Sequence, residues 1–309
     1  MSLADLILAH APFTLPRHLY SLVEGQSPLS TPLVVFGSLA SYLTLIFGIQ
    51  AAMKNHPPLR LNTLFQAHNI ILSGGSLLLL ALLIEEAIPI IWKIGFFNAM
   101  CSEASWTPRM EFYYMINYYF KYLELLDTVF LAFKKKPLRF LHVFHHSATA
   151  LLCYSGLTGK ISGAWIPISL NLAVHVLMYY YYYAAAAGVL VWWKKYLTII
   201  QIIQFVIDLC VGYFGVYMHF TATYFDEVLP RLGNCAGSGM VGVFGCGLLT
   251  VYLGLFINFY LQTYKKDSSM THHIKGIDTG IANDHANGKI VAGQKTSETV
   301  TVRSRRKAI

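Results

Sequence analysis

Apolar residues in this chain run in long blocks. Seven stretches, at about residues 30–52, 65–84, 112–133, 140–157, 162–185, 196–219 and 239–262, are each long enough to cross roughly 30 Å of hydrocarbon as a helix. A further apolar piece at 87–100 holds Pro89 and Lys93. At about 14 residues it is too short to cross alone, so it is expected to be a re-entrant or interfacial segment. The pattern predicts an all-α polytopic membrane protein with seven transmembrane helices. It divides the chain into an N-terminal segment (1–28), a membrane domain (29–264) and a tail (265–309).

Composition agrees with the pattern. Of the 309 residues 55% are hydrophobic and 12% charged, about half the charged share of a soluble domain. No basic n-region opens the chain, and the apolar run Leu3 to Ala9 contains Asp5, so a cleaved signal peptide is not expected and the first span serves as its own insertion signal. Basic residues set the orientation. With the N-terminus outside, Lys54, Arg60, Lys134, Lys135, Lys136, Arg139, Lys194, Lys195 and the basic tail face the cytosol, against Arg17, Lys93, Arg109, Lys160 and Arg231 opposite. The net charge of +8 therefore reads as topology charge and attraction to anionic lipid. Nucleic-acid binding has no support, because no aromatic-interleaved basic platform accompanies it.

The tail, rich in Lys, Ser, Thr, Gly and Asn, cannot bury enough surface to fold alone and is expected to be disordered. Its last residues, Arg305-Arg306-Lys307-Ala308-Ile309, resemble a dilysine-type endoplasmic reticulum retrieval signal. The five cysteines form no zinc spacing. Cys101 and Cys235 are the two in expected exoplasmic loops, where a disulfide is permitted; either they pair, which is the expectation, or they stay as two free thiols.

Polar residues inside the apolar blocks mark the chemistry, since ionisable groups at membrane depth are costly and face an interior. The block at 112–133 holds Lys121, Glu124, Asp127 and Thr128 along one helical stripe. The next holds His142, His145 and His146, three imidazoles sharing a face at i, i+3 and i+4. The fifth block puts Asn171 and His175 one turn apart, followed by five tyrosines, Tyr179 to Tyr183, that circle the helix so that some point inward. The sixth carries Gln201, Gln204 and Asp208. Each stripe also admits a purely structural reading, as ion pairs and hydrogen bonds that pin helices.

Taken in order, Lys121-x-x-Glu124-x-x-Asp127-Thr128, His142-x-x-His145-His146, Asn171-x-x-x-His175-x-x-Met178-Tyr179-x-Tyr181-Tyr182 and Thr198-x-x-Gln201-x-x-Gln204 closely resemble the ELO family of very-long-chain fatty acid elongases. The resemblance implies a condensing enzyme, a 3-oxoacyl-CoA synthase joining malonyl-CoA to a long-chain acyl-CoA with loss of CO2. It implies six of the helices forming a barrel around an acyl tunnel, an endoplasmic reticulum membrane location with lumenal N-terminus and cytosolic C-terminus, and a part in very-long-chain and sphingolipid biosynthesis. Partners would be membrane lipid and the ketoreductase, dehydratase and enoyl reductase of the elongation cycle.

No cysteine lies in any motif, so imidazole remains as the acyl carrier. The resemblance favours a ping-pong route on His145, with His142, His146 and His175 moving protons and stabilising the enolate. Lys121, Glu124, Asp127, Asn171, Gln201 and Gln204 would orient these rings. Tyr179, Tyr181 and Tyr182 with Lys134, Lys135, Lys136, Arg139, Lys265 and Lys266 would bind substrate, the basic set serving coenzyme A phosphates or topology alone. No metal and no cofactor is expected. A di-iron desaturase or hydroxylase also uses such a box but needs about eight histidines in several boxes; a seven-span transporter or receptor would share the topology without the four motifs.

Overall fold

The computed structural model describes residues 3–9, 16–225 and 228–265. Nine α-helices are described in the unit Met1–Leu261: α1 (Leu3–Ala9), α2 (Arg17–Tyr20), α3 (Pro32–Ala52), α4 (Asn62–Cys101), α5 (Pro108–Phe133), α6 (Phe140–Thr158), α7 (Trp165–Ala186), α8 (Lys194–Tyr224) and α9 (Gly239–Tyr260). No strand occurs among the described residues. In the unit Gln262–Ile309 the described residues end a π-helical turn, Leu261–Lys265. The tail expected at 265–309 lies almost wholly outside the described residues.

Among the described residues, four segments are long and apolar enough to cross a membrane: Pro32–Asn55, Ser162–Ala186, Lys194–Tyr224 and Gly239–Tyr264. Large apolar side chains such as Leu33, Trp92 and Met240 stand outward, more than three-quarters exposed. That is the reverse of a soluble fold and what hydrocarbon solvent demands. The chain is a multi-pass membrane protein.

The segment at 87–100 differs from the sequence expectation. It continues the preceding span as part of α4, which runs 40 residues, with Pro89 inside it and one break at Gly95 (φ 79°, ψ 160°). Proline removes one helical hydrogen bond without ending the helix, and the turn is given up six residues later, where glycine alone tolerates that backbone. The continuation is held at its far end. Trp165 Nε1 donates to Ala99 O (2.9 Å) and Ser162 Oγ to Met100 O (2.9 Å).

Helix ends follow local chemistry. Pro32 and Pro108 sit at first helical positions, and Thr107 Oγ1 accepts from Met110 N (3.1 Å). α5, α6 and α7 each close with paired 6→1 and 5→2 backbone bonds, with Lys135 (φ 53°), Lys160 (φ 46°) and Gly188 (φ 85°) at the left-handed position.

The packing order is not the chain order. α4 packs on α7, α7 on α8, α8 on α9, α9 on α6, α6 on α5 and α5 again on α4, a closed cycle of six neighbours, while α3 packs on α5. The contact of α4 with α5 is close because Gly75 has no side chain: a Cβ there would sit 2.5 Å from the Phe120 ring. α1 docks on α4 through Glu85, which accepts from Leu3 N (2.6 Å) and Ala4 N (3.3 Å).

Candidate active site

The polar stripes meet inside the cycle of helices. On α5, Lys121, Glu124, Asp127 and Thr128 are all 5% exposed or less. Lys121 Nζ donates to Glu124 Oε1 and to Asn171 Oδ1, both at 2.8 Å. Since Asn171 Oδ1 is engaged by a lysine, its Nδ2 faces His175 Nε2 (3.2 Å) and donates there. The His175 proton then belongs on Nδ1, which lies 3.1 Å from Glu124 Oε1 at ion-pair distance but without hydrogen-bond alignment. One carboxylate thus answers a lysine and a histidine, the arrangement that makes buried charge tolerable.

Asp127 is held separately. His68 Nε2 on α4 lies 2.9 Å from its Oδ1, and Tyr179 Oη donates to its Oδ2 at 2.9 Å. Tyr179 thus gives its hydroxyl to Asp127, and Tyr181 packs on Trp193 (centroids 5.8 Å) and Tyr182 (5.5 Å). His68 was not among the residues the motifs pointed to, because it stands alone in its block.

The three box histidines on α6 divide. His142 and His146, one turn apart, face each other with ring centroids 4.4 Å apart, and His142 Nε2 and His146 Nδ1 have no hydrogen-bond partner among the described residues. His145 turns toward α8 and α9, where Tyr252 (4.8 Å), Phe256 (5.8 Å) and Phe205 (6.3 Å) surround its ring. Tyr252 Oη donates to His145 O (3.3 Å) and pairs with Thr149 Oγ1 (3.1 Å).

His145 stands on the wall of a largely apolar cavity of about 230 Å³. Lys121, Asn171, Gln204, Asp208 and Tyr252 share its wall, which continues past Cys153, Gly156 and Gly215 to Met100, Ile161 and Cys235. Adding a Cβ at Gly156 or Gly215 would meet nothing within 4 Å, so both positions leave the bore open. Cys101 and Cys235 are joined by a disulfide at that far end, where Ala236 N donates to Cys101 O (2.7 Å) and Cys235 O lies 2.9 Å from His219 Nδ1. Glu124, Asp127, His142, His146, His175, Gln201 and the tyrosines of α7 lie outside this wall. Gln201 Nε2 instead donates to Met178 Sδ (3.5 Å).

The basic connection between α5 and α6 is partly structural. Lys135 Nζ donates to Lys54 O (2.9 Å) and His56 O (3.1 Å), tying it to the turn after α3. Lys134 lies 4.0 Å over the Phe65 ring, and burial, reinforced by the charge of Lys136, lowers its ammonium from the ordinary lysine value. Arg139 lies over Phe259 at 5.5 Å. The side chain of Lys265, and Lys266 altogether, lie outside the described residues.

The model of the ELO family, described as GNS1/SUR4, matches residues 27–272, which take in all the residues of this site. The chain belongs to the ELO family. Two Schizosaccharomyces pombe members, named "Putative fatty acid elongase 1" and "2", are 45% identical over 80% of this chain and 74% of their own length, and 39% over 85% and 72%. "Fatty acid elongase A" of Dictyostelium discoideum is 33% identical over 79% of this chain and 88% of its own. Within the family frame, Tyr252, Phe205 and His219 are wall residues that no motif spacing marked, whereas Asp208 belongs to the polar stripe of the sixth block. Tyr252 and His219 stand among apolar neighbours on α9 and α8, and such isolated polar residues are the signal that a search for stripes passes over.

Proposed function

We propose that this chain, an enzyme of fatty acid elongation, performs the condensing step: it is a 3-oxoacyl-CoA synthase that joins a long-chain acyl-CoA to malonyl-CoA. One observation carries the reading. His145 presents an imidazole to an apolar bore, and a buried network of Lys121, Glu124, Asn171 and His175 reaches the same wall through Lys121 and Asn171. A methylene chain needs the first and a developing enolate charge the second.

In the first half-reaction an imidazole nitrogen of His145 attacks the thioester carbonyl. The N–C bond forms, the C–S bond breaks, and coenzyme A leaves with a proton. In the second, malonyl-CoA loses CO2, the released electron pair forms the enolate, and its carbon attacks the acyl group as the C–N electrons return to imidazole, which takes up a proton to restore the neutral ring in place of the one that left with coenzyme A. His142, His146 and His175 move protons and stabilise the enolate; Glu124, Asp127 and Asn171 hold the rings. Lys134, Lys135, Lys136 and Arg139 attract coenzyme A phosphates, a role also assigned, from the sequence alone, to Lys265 and Lys266. We assign seven spans, α3 to α9, with α4 to α9 forming the barrel and α3 outside it, a reading supported by the closed packing cycle. The protein would sit in the endoplasmic reticulum membrane with its N-terminus lumenal, working with the ketoreductase, dehydratase and enoyl reductase, and without a metal or cofactor.

The test is acyl-CoA given alone to purified protein. A burst of free coenzyme A and one added acyl mass on a peptide containing residues 142–146 are expected, and both vanish in His145→Ala. Cys153 lies on the same wall, so Cys153→Ser is the necessary companion and should keep the burst. A burst that survives in His145→Ala, or is lost in Cys153→Ser alone, overturns the assignment. Turnover with malonyl-CoA should also survive strong chelators; loss on removing a stoichiometric metal would contradict the metal-free mechanism.

A further inference from the structure

The carboxyl groups inside the helix cycle are not equally provided for. Glu124 meets Lys121 and His175, and Asp127 meets His68 and Tyr179. Asp208, midway along α8 and 2% exposed, is treated differently. Its Oδ2 accepts from Gln204 Nε2 at 3.1 Å, and its Oδ1 has no hydrogen-bond partner among the described residues. Both residues lie on the wall of the bore. The condensing chemistry assigned above makes no use of Asp208.

A carboxyl group at membrane depth is costly, and a buried acceptor left without a donor adds to that cost. Methylene groups return none of that. A bore serving only unsubstituted chains would be better lined by leucine at this position. Elsewhere on the wall the hydroxyls of Thr149 and Tyr252 satisfy each other, whereas Asn117 gives its amide nitrogen to Cys153 Sγ (3.6 Å) and leaves its Oδ1 unpartnered. The bore therefore holds an unmet polar demand on α8 and a neutral one on α5.

We infer that Asp208, braced by Gln204, is a binding station for a hydroxyl group carried on the acyl chain, so that hydroxylated long-chain acyl-CoAs are substrates of this protein. The inference rests on the condensing reading and names a substrate class within it. A hydroxyl is the group that fits: it donates to Oδ1 when Asp208 is ionised and accepts from it when Asp208 is protonated. A ketone offers no donor and a double bond offers neither. Because Asp208 is fixed on α8 while the carboxyl end of the chain is fixed at His145, the station selects one position of the hydroxyl along the chain.

The experiment uses the purified full-length chain and acyl-CoAs of one length, unsubstituted or with a single hydroxyl at successive carbons. Two readouts are taken: thermal stabilisation by each acyl-CoA without malonyl-CoA, and turnover once malonyl-CoA is added. One hydroxyl isomer should bind on the order of 10-fold more tightly than the others, in line with a hydrogen bond to a charged acceptor. Asp208→Asn, which keeps donor and acceptor, should retain that preference; Asp208→Leu should lose it, as should Asp208→Ala if the leucine variant does not fold. Equal binding of all isomers by the wild type would mean that water alone fills the station and would overturn the inference. So would a preference that persists in Asp208→Leu, or one that is lost in Asn117→Leu instead. Preference without turnover counts against the condensing reading alone, and turnover without preference against the station alone.

Discussion

At the scale of single residues, the centre of the molecule depends on Glu124. Its Oε1 receives the Lys121 ammonium at 2.8 Å and stands 3.1 Å from His175 Nδ1. Glu124→Gln removes the countercharge while leaving the volume, so Lys121 becomes a buried cation with amide partners only. Breaking one side of such a pair costs about 3–5 kcal/mol. The variant should melt well below the wild type in detergent, and replacing Lys121 with Met in the same chain should restore much of the loss. A Glu124→Gln protein as stable as the wild type would show that the pair carries little of the fold. The sequence exposed this residue-scale chemistry well where polar groups recur at helical spacing inside apolar blocks. It was silent on His68, Tyr252 and Asp127's other contacts, because those depend on which helices become neighbours across the bundle.

At the scale of elements, three helices end in the same backbone motif, and two of them place lysine where glycine is the natural choice. Lys160, at φ 46°, carries the steric cost of a left-handed residue with a Cβ, about 1–2 kcal/mol. Lys160→Gly relieves it, less the extra freedom glycine brings to the unfolded chain. A net gain of about 0.5–1 kcal/mol is expected, read as a small rise in melting temperature with turnover unchanged. Lys135→Gly is a less clean trial, since Lys135 also bonds Lys54 O and His56 O. Helix positions were legible from apolar run length, and the described ends fall within a few residues of the expected ones except at the end of α4, expected at 84 and found at Cys101. Residues 87–100 were misread for a physical reason: run length measures what can span alone, whereas this piece is the continuation of a helix already started, and Pro89 does not end it.

At the scale of the whole membrane unit, the disulfide ties the end of α4 to the loop before α9, closing a sequence separation of 134 residues. Cross-linking so long a loop restricts the unfolded chain, an effect of about 2–5 kcal/mol. Cys101→Ser should therefore melt lower under oxidising conditions and match the reduced wild type, and mass mapping of the unreduced protein should find the two cysteines in one linked peptide pair. Equal melting of oxidised and reduced wild type would refute the stabilising role. Cys101 and Cys235 were singled out in the sequence by side of the membrane alone; the joining of α4 to α7, at separations of 66 residues (Ala99 and Trp165) and 103 (Ser73 and Val176), was not, because no local pattern encodes which distant helix will be adjacent.

The packing cycle has a consequence for how the protein is made. α4 and α5 emerge from the ribosome before α7, so for a time the charged stripe of α5 must exist without Asn171, His175 or Tyr179. It is not stranded. Lys121 and Glu124 lie three residues apart on one helix and neutralise each other as soon as α5 coils, and Asp127 meets His68, which has already been synthesised. Every buried charge of α5 thus has a partner on its own helix or an earlier one. The later helices add hydrogen bonds to a network whose charged groups already have partners at the moment of insertion.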